Sequence, residues 1–327
     1  MWYRTESGKL HHDRPGSRTR GVTVLAAILT ILVVSAIAMT AYVYWVEPRR
    51  FRTVRVRMKT EHGFGGTLEI LHISDLHLRK GERAKLDFLR GLQRNPVDMV
   101  FVTGDIIEDD SGIDYCVELL HGFRTRIGAF VVFGAHDRWD TRLWNVVRDL
   151  SLGGYRKGRP NDFERLKREL ERVGVVCLEN ESHRIMLPRH SQSGAAGEGS
   201  LWLVGVDDIF AGLDDFEKAL AGVPADAFRI LLTHAIESPE DLAARRFDAI
   251  FAGHSHGGQV RFPFLGPVIT RSSLQREYAS GVFEVAGTPF HLNNGIGTGR
   301  WTGFRFMCPP EATFVELTGS EPGSGAR

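Results

Sequence analysis

Hydrophobic residues along this chain form short continuous runs that alternate with stretches of helical spacing. The short runs predict buried strands at 67–73, 98–103, 129–133, 175–178, 184–187, 201–206, 229–233 and 248–252. Apolar residues spaced three or four positions apart predict helices at 83–94, 113–123, 161–172 and 239–246. Three further strands are predicted near 280–285, 289–293 and 313–317. Early alternation of strands and helices, followed by successive strands, favours an α/β fold with mixed sheets.

The longest apolar segment, at 22–46, contains no charged residue. A helix of this length crosses the roughly 30 Å hydrocarbon core of a bilayer, so we predict a single-pass transmembrane helix. A cleaved signal peptide is the alternative, because Ala36 and Ala38 resemble an A-x-A cleavage site, although the apolar run continues past them. Basic residues flank both ends in nearly equal number, which leaves the side of the membrane open.

Composition and charge narrow the class of the rest of the chain. Of 327 residues, 43% are hydrophobic and 25% are charged, which is typical of a globular protein. Lys and Arg number 41 against 40 Asp and Glu, so no nucleic-acid partner is expected. Three scattered cysteines are too few for a disulfide framework or a thiolate zinc site. We divide the chain into a basic tail (1–21), a transmembrane helix (22–46), a basic linker (47–66), a globular domain (67–318) and a disordered tail (319–327).

Aspartate and histidine residues lie at the carboxyl ends of the predicted strands. They are Asp75 and His77 after the first strand, Asp105 after the second, His136 and Asp137 after the third, His234 at the end of 229–233, and His254 and His256 after 248–252. Binding crevices of open α/β sheets lie at that edge, so we expect these side chains to meet there. Gathered carboxylates would repel one another without a cation, and oxygen and imidazole donors without thiolate suit Mn, Fe or Zn. The sequence therefore predicts a divalent metal site.

The chain resembles the calcineurin-like metallophosphoesterases. The resemblance is carried, in this order, by the motifs D-x-H, G-D, G-x-H-D, a later His and G-H-x-H. The membrane-associated bacterial branch is the most similar, through V-G-V-D-D at 204–208 and P-P-E before the last strand. The resemblance covers about 66–317. It implies a four-layer α/β/β/α sandwich of two mixed sheets, preceded here by the transmembrane helix, with two divalent metal ions at one edge of the sheets.

The resemblance also implies roles for individual residues. Asp75, His77 and His256 would hold the first metal, Asp105 would bridge both ions, and His234 and His254 would hold the second. A bridging hydroxide would attack the phosphorus of a phosphodiester or pyrophosphate, and His136 would protonate the leaving oxygen as general acid. Asp137 is a candidate to orient the His136 imidazole, and a helix-capping role is its alternative.

One position departs from the family pattern, because Ala135 stands where the motif has Asn. A methyl group cannot ligate a metal, so we predict one tight site and one weakened second site. The outcomes left open are reduced activity, rescue by another side chain, and a catalytically impaired metal- and phosphate-binding membrane protein. Asn145 and Asn161 follow within reach along the chain. A third interpretation is a scaffold that recruits a partner protein.

The sequence 253–257 also matches G-x-S-x-G, the motif around the nucleophile of serine hydrolases. The match is weak evidence, because that motif requires a helix directly after it and none is predicted here.

The segment 138–160 mixes tryptophan and tyrosine with arginine and lysine just beyond His136. This mixture favours a lid or a headgroup contact, and therefore a lipid or nucleotide-lipid substrate. A solvated amphipathic surface helix is the alternative. The expected partners are thus a phosphate ester, with a lipid-linked one as a candidate, and the membrane; the oligomeric state stays open.

Overall fold

A computed structural model of the chain describes residues 2–4, 10–12, 17–61, 63–140, 157–188, 198–268 and 275–319. The chain divides into two compact units, Met1–Val46 and Glu47–Arg327. The first unit contains strands β1 (Trp2–Arg4) and β2 (Leu10–His12), which pair antiparallel, helix α1 (Ser17–Ala41) and a π-helical turn (Tyr42–Val46).

One helix among the described residues is long and apolar enough to cross a membrane. It covers Gly21–Arg49, a span of 29 residues that includes the predicted transmembrane segment 22–46. Its apolar side chains are exposed, as in Leu25, Ile31 and Ile37. Length and composition therefore agree with the predicted single-pass helix.

The strands of the second unit are β3 (Arg52–Thr60), β4 (Gly66–Ile73), β5 (Val97–Thr103), β6 (Thr125–Val132), β7 (Trp139–Asp140), β8 (Arg159–Pro160), β9 (Val176–Cys177), β10 (Glu181–Pro188), β11 (Glu198–Val206), β12 (Phe228–Thr233), β13 (Ala249–Ala252), β14 (Arg261–Phe262), β15 (Gly266–Pro267), β16 (Gly281–Val285), β17 (Thr288–Leu292) and β18 (Glu311–Gly319). The helices are α2 (Arg83–Leu92), α3 (Ile113–His121), α4 (Ala135–Arg138), α5 (Phe163–Arg172), α6 (Phe216–Ala219) and α7 (Pro239–Ala244). Short 3₁₀ turns lie at Glu47–Arg49, Asp110–Gly112, His256–Gly258 and Arg276–Tyr278.

Two mixed six-stranded sheets form the centre of this unit. Their strand orders are β3-β18-β4-β5-β6-β9 and β10-β11-β12-β13-β17-β16. An apolar layer joins them, and in it the rings of Phe101 and Phe251 lie 5.1 Å apart. On the outer face of the first sheet pack α2, α3 and α5, whereas α6 and α7 cover the second. The predicted α/β/β/α arrangement is confirmed.

The segment 47–66 differs from our expectation of a basic linker, because it contains β3. This nine-residue strand runs parallel to β18 at the edge of the first sheet. Val56 and Met58 join the apolar layer, whereas Arg57 is exposed and forms an ion pair with Glu316 at 3.1 Å. Apolar and basic residues alternate along β3, as is typical of a strand with one buried face. We did not predict this strand because its many basic residues suggested an exposed linker.

Two buried histidines connect the sheets. His72 lies on β4 and His291 on β17, with 2.6 Å between their Nδ1 atoms, and His72 Nε2 contacts Thr103 Oγ1 at 2.9 Å. Burial, reinforced by His291, lowers the pKa of His72 well below its ordinary value, and burial lowers the pKa of His291 to about 3. Both rings are therefore neutral in the folded protein at physiological pH.

These lowered pKa values make the fold less stable in mild acid. Below the ordinary histidine pKa of about 6.5, the unfolded chain binds protons that the folded chain does not, so stability falls as pH decreases. Between pH 7.5 and pH 5 we expect the pair to contribute a loss of at least about 2 kcal/mol. The double variant His72→Leu/His291→Leu should lack this part of the pH dependence in denaturant titrations at both pH values. An unchanged pH dependence would show that the pair is not the source.

Candidate metal centre

Strands from both sheets end where the predicted site residues lie. In the first sheet β4, β5 and β6 are adjacent, and Asp75, Asp105 and His136 follow their carboxyl ends. In the second sheet β12 and β13 are adjacent and lead to His234 and His254. The strand order therefore brings residues far apart in sequence to one edge of the sandwich.

Asp75, His77 and His256 form one group of candidate ligands. One donor atom from each lies within 4.8 Å of the others. His256 Nε2 is 3.5 Å from Asp75 Oδ1, which is longer than a normal hydrogen bond. Among the described residues, buried Asp75 Oδ1 and His77 Nε2 have no hydrogen-bond partner. Leaving buried polar atoms unpaired costs free energy, and a shared cation would satisfy both, so this donor set fits a metal ion.

Asp105 connects this group to a second one. Asp75, Asp105 and His234 also place donor atoms within 4.8 Å of one another. Asp105 Oδ2 is 3.7 Å from His77 Nε2 and 3.4 Å from His234 Nε2. His254 Nδ1 lies 3.2 Å from His234 Nε2 and extends the second group. A carboxylate between two sets of donors is what a pair of bridged cations requires.

Surrounding hydrogen bonds determine which ligand atoms face the centre. Asp75 Oδ2 accepts from Ser74 Oγ at 2.6 Å and from the backbone N–H of His254 at 3.0 Å, which leaves Oδ1 for the centre. His234 Nδ1 donates to the Thr103 carbonyl at 2.9 Å, so the lone pair of the neutral ring is on Nε2. Such partners orient ligands before a metal binds.

The backbone at the candidate ligands is strained. Left-handed φ angles occur at Asp75 (49°), His77 (43°), Asp105 (49°), His254 (67°) and His256 (48°). Residues other than glycine rarely adopt this backbone conformation, and backbone strain of this kind clusters at functional sites. The T-G-D turn adds a close approach, since a Cβ on Gly104 would lie 2.5 Å from His234 Nδ1. Only glycine therefore fits between β5 and Asp105.

Glu108 belongs to the centre, although we did not predict it from the sequence. Its buried Oε2 is 2.9 Å from His77 Nδ1 and 3.7 Å from His136 Nδ1, and Oε1 accepts the Arg300 N–H. Burial opposes ionisation, but the hydrogen bond and charge of His77, with the charge of His136, lower the pKa of Glu108 to about 2. The ionised carboxylate turns His77 Nε2 toward the centre. The sequence did contain a sign of this role, since Glu108 is an acidic residue only three positions after Asp105.

His136 and Asp137 occupy different environments. The His136 ring lies 4.7 Å from the His77 ring at the edge of the centre, and its backbone N–H donates to Asp105 Oδ1 at 3.0 Å. Asp137 is buried, and its carboxylate accepts two backbone N–H groups of the loop after β5 and that of Gly134. These backbone contacts correspond to the helix-capping alternative for Asp137. The carboxylate that lies beside the His136 ring is that of Glu108.

Ala135 places a buried methyl group where the family motif has an amide. Its backbone N–H donates to Asp208 Oδ2 at 2.7 Å. Asn161 Nδ2 donates to the backbone carbonyl of His136 at 2.9 Å and so supports the loop. Asn145, the other asparagine considered, lies outside the described residues.

The charges of the centre depend on one another. Burial opposes ionisation of Asp105, but His234, His136 and His77 hold its pKa well below the ordinary value. Burial likewise opposes protonation of His234, but Asp105 raises the pKa of that ring well above its usual range. Burial and the charge of His234 lower the pKa of His254. A divalent cation would replace the proton on His234 as the partner of Asp105.

Comparison with known proteins agrees with this geometry. Residues 68–258 match the calcineurin-like phosphoesterase family. The uncharacterized metallophosphoesterase YkoQ of Bacillus subtilis is 27% identical over 76% of this chain and 83% of its own length. Phosphodiesterase YaeI of Escherichia coli is 24% identical, covering 84% of this chain and 92% of its own. UDP-2,3-diacylglucosamine pyrophosphatase LpxG of Chlamydia trachomatis is 24% identical, covering 88% and 95%.

The matched region covers more than half of the chain and contains every candidate metal ligand. The relatives carry the names of hydrolases that act on phosphoric esters. This chain therefore belongs to the calcineurin-like phosphoesterase family of metal-dependent hydrolases.

Proposed function

We propose that this protein is a membrane-anchored hydrolase that cleaves phosphodiester or pyrophosphate bonds of a lipid-linked substrate at a two-metal centre. The observation that carries the proposal is the position of Asp105, between two groups of donors that each combine side chains from both sheets. Carboxylate and imidazole donors without thiolate suit Mn, Fe or Zn. No soft-metal or disulfide chemistry is needed.

The ligand sets follow from the two groups. Asp75, His77, His256 and Asp105 would hold the first ion, and Asp105, His234 and His254 would hold the second. When bound, two divalent ions supply charge neutralisation at the phosphate oxygens and an activated water as nucleophile. The chain itself keeps the ligands oriented, because the hydrogen bonds of Asp75 and His234 point one donor atom of each toward the centre.

Proton transfer to the leaving oxygen is assigned to His136. The residue lies at the edge of the centre, where its ring contacts His77 and its backbone is tied to Asp105. Glu108 Oε2 lies 3.7 Å from His136 Nδ1 and is the carboxylate beside the ring that would donate the proton. General-acid catalysis of this kind contributes about 10²–10⁴-fold.

A catalytically impaired metal-binding protein is the second candidate function. The buried methyl group of Ala135 favours it, because that side chain provides no ligand to the second ion. Asp105, His234 and His254 still offer three donors there. We therefore expect a weakened second site and reduced turnover.

Three observations support the membrane and the lipid-linked substrate. The Gly21–Arg49 helix is long enough to span a bilayer, and one relative is named for a diacylglucosamine nucleotide. Beyond His136, Lys157 Nζ lies 4.7 Å over the Trp139 ring, at the described ends of the segment predicted to be a lid. Arg138 is ion-paired with two carboxylates and is therefore less suited to bind a headgroup. Residues 141–156 lie outside the described residues.

Replacing His136 with Ala should slow the cleavage of poor leaving groups most. A phenolate or alkoxide needs a proton, whereas p-nitrophenolate departs without one. In Mn²⁺-supplemented assays we expect kcat to fall about 10²–10⁴-fold for methyl phenyl phosphate and less than about tenfold for bis(p-nitrophenyl) phosphate. His121→Ala, at an exposed histidine of α3, is the control and should leave both rates unchanged. Equal losses on both substrates would remove the general-acid role.

Replacing Ala135 with Asn should strengthen the second site. After purification without chelators, we expect the wild type to retain between one and two divalent ions per chain and Ala135→Asn close to two. Diester hydrolysis should rise about tenfold, in line with the usual effect of one ligand-shell group. Ala135→Leu matches the added volume without an oxygen and should not raise metal content. Two ions in the wild type would contradict a weakened site, and a silent wild type beside an active Ala135→Asn would favour the impaired protein.

A further inference from the structure

A short apolar hairpin follows directly on the metal centre. Strands β14 and β15 pair antiparallel, with Phe262 opposite Gly266, and three residues form the turn between them. Residues 261–268, which we call the apolar hairpin, contain no charged side chain after Arg261. Phe264 at the tip is fully exposed, and Leu265 beside it is 55% exposed. Exposed apolar clusters of this kind mark contacts with another phase or molecule.

The conformation of the tip argues against a role in folding. Phe264 has a φ angle of 66°, in the left-handed region that glycine and asparagine adopt at least cost. Because its side chain is fully exposed, it adds nothing to the apolar layer between the sheets. Phe264 therefore costs conformational free energy in the turn, and its side chain does not offset that cost by becoming buried in the domain. Its benefit therefore lies outside the described fold.

The apolar hairpin is attached to the loop that carries His256. Arg261 N donates to the Phe306 carbonyl at 2.9 Å, Val268 N donates to the Val260 carbonyl at 2.9 Å, and Arg261 Nη1 donates to Ser280 Oγ at 2.7 Å. The rings of Phe262 and Phe306 lie 5.5 Å apart. Arg261 Nη1 also lies 3.4 Å from the Gly257 carbonyl, so the base of the hairpin is bonded to the loop that carries His256.

We propose that the apolar hairpin inserts into the headgroup region of the lipid bilayer and seats the metal centre there. This inference rests on the membrane anchoring of the proposed function. The spanning helix reaches Arg49 and β3 begins at Arg52, so the domain is tethered within a few residues of the bilayer. A short tether gives a high effective concentration, and a weak apolar contact then suffices. Aromatic and aliphatic side chains at a loop tip match the chemistry of the bilayer interface.

A protein partner fits the apolar hairpin less well. Stable protein interfaces take about 20–30 residues a side. The large apolar side chains that the hairpin exposes are Phe262, Phe264, Leu265 and Val268, and Met307 is exposed next to Phe306, which forms a β-bridge with Val260. A bilayer accepts single inserted side chains without a shaped counterpart. The small size of the tip therefore favours lipid.

A fluorophore at the tip tests the insertion directly. The native cysteines Cys116, Cys177 and Cys308 are buried, so a new cysteine can be labelled selectively. Full-length Phe264→Cys, labelled with a polarity-sensitive dye, is reconstituted into phosphatidylcholine/phosphatidylglycerol vesicles with and without brominated lipid. We expect strong quenching by the brominated lipid at position 264. Met186→Cys, 47% exposed on the opposite edge strand β10 of the second sheet, is the control and should not be quenched.

The outcomes separate this inference from the proposed function. If the wild type fails to float with vesicles, the membrane anchoring fails and the inference with it. If the protein floats but position 264 is not quenched, or is quenched no more than position 186, only the inserted hairpin is overturned. Neither readout depends on catalytic activity.

A glycine at the tip supplies a second test. Phe264→Gly removes the apolar side chain and suits the left-handed turn, so its thermal unfolding midpoint should not fall below that of the wild type. Hydrolysis of hexadecyl p-nitrophenyl phosphate in vesicles should drop several-fold, because the aromatic side chain that inserts at the interface is lost. Hydrolysis of soluble bis(p-nitrophenyl) phosphate should be unchanged. Equal losses on both substrates, or no loss on either, would contradict the inference.

Discussion

Buried carboxylates and imidazoles from two different sheets face one another around Asp105, and the rest of the structure serves this contact. Asp75 and Asp105 place donor atoms within 4.8 Å of each other and of His234. Like charges this close, removed from water, destabilise a fold by several kcal/mol unless a cation compensates them. A divalent cation among these donors would compensate that charge, in keeping with the metal-dependent family to which the chain belongs.

The scaffold holds these groups in place through its least adaptable parts. The apolar layer between the sheets, with Phe101 against Phe251, fixes the relative position of the strand ends. Left-handed backbone conformations occur at five of the candidate ligands, where the chain turns after each strand. Strain and uncompensated charge both lower stability, and the large buried core is what makes them tolerable. Binding of metal would return part of that free energy.

The strands, and the acidic and histidine positions that meet at their ends, could be predicted from the sequence because each follows from a local pattern. Asp105, for example, directly follows an apolar run and a glycine that permits the turn. The role of Glu108 could not be predicted, since its contacts with His77 and His136 arise only after separate loops pack together. The strand β3 was missed for another reason, because its many basic residues outweighed their two-residue alternation.

The most direct test of the two-metal account is a crystal structure of the full chain grown with Mn²⁺, with anomalous scattering recorded at the manganese edge. The account predicts one strong anomalous peak among Asp75, His77 and His256, and a weaker peak beside His234 and His254. Asp105 should lie between them. Absence of anomalous density at these side chains, or manganese bound only elsewhere on the protein, would contradict it.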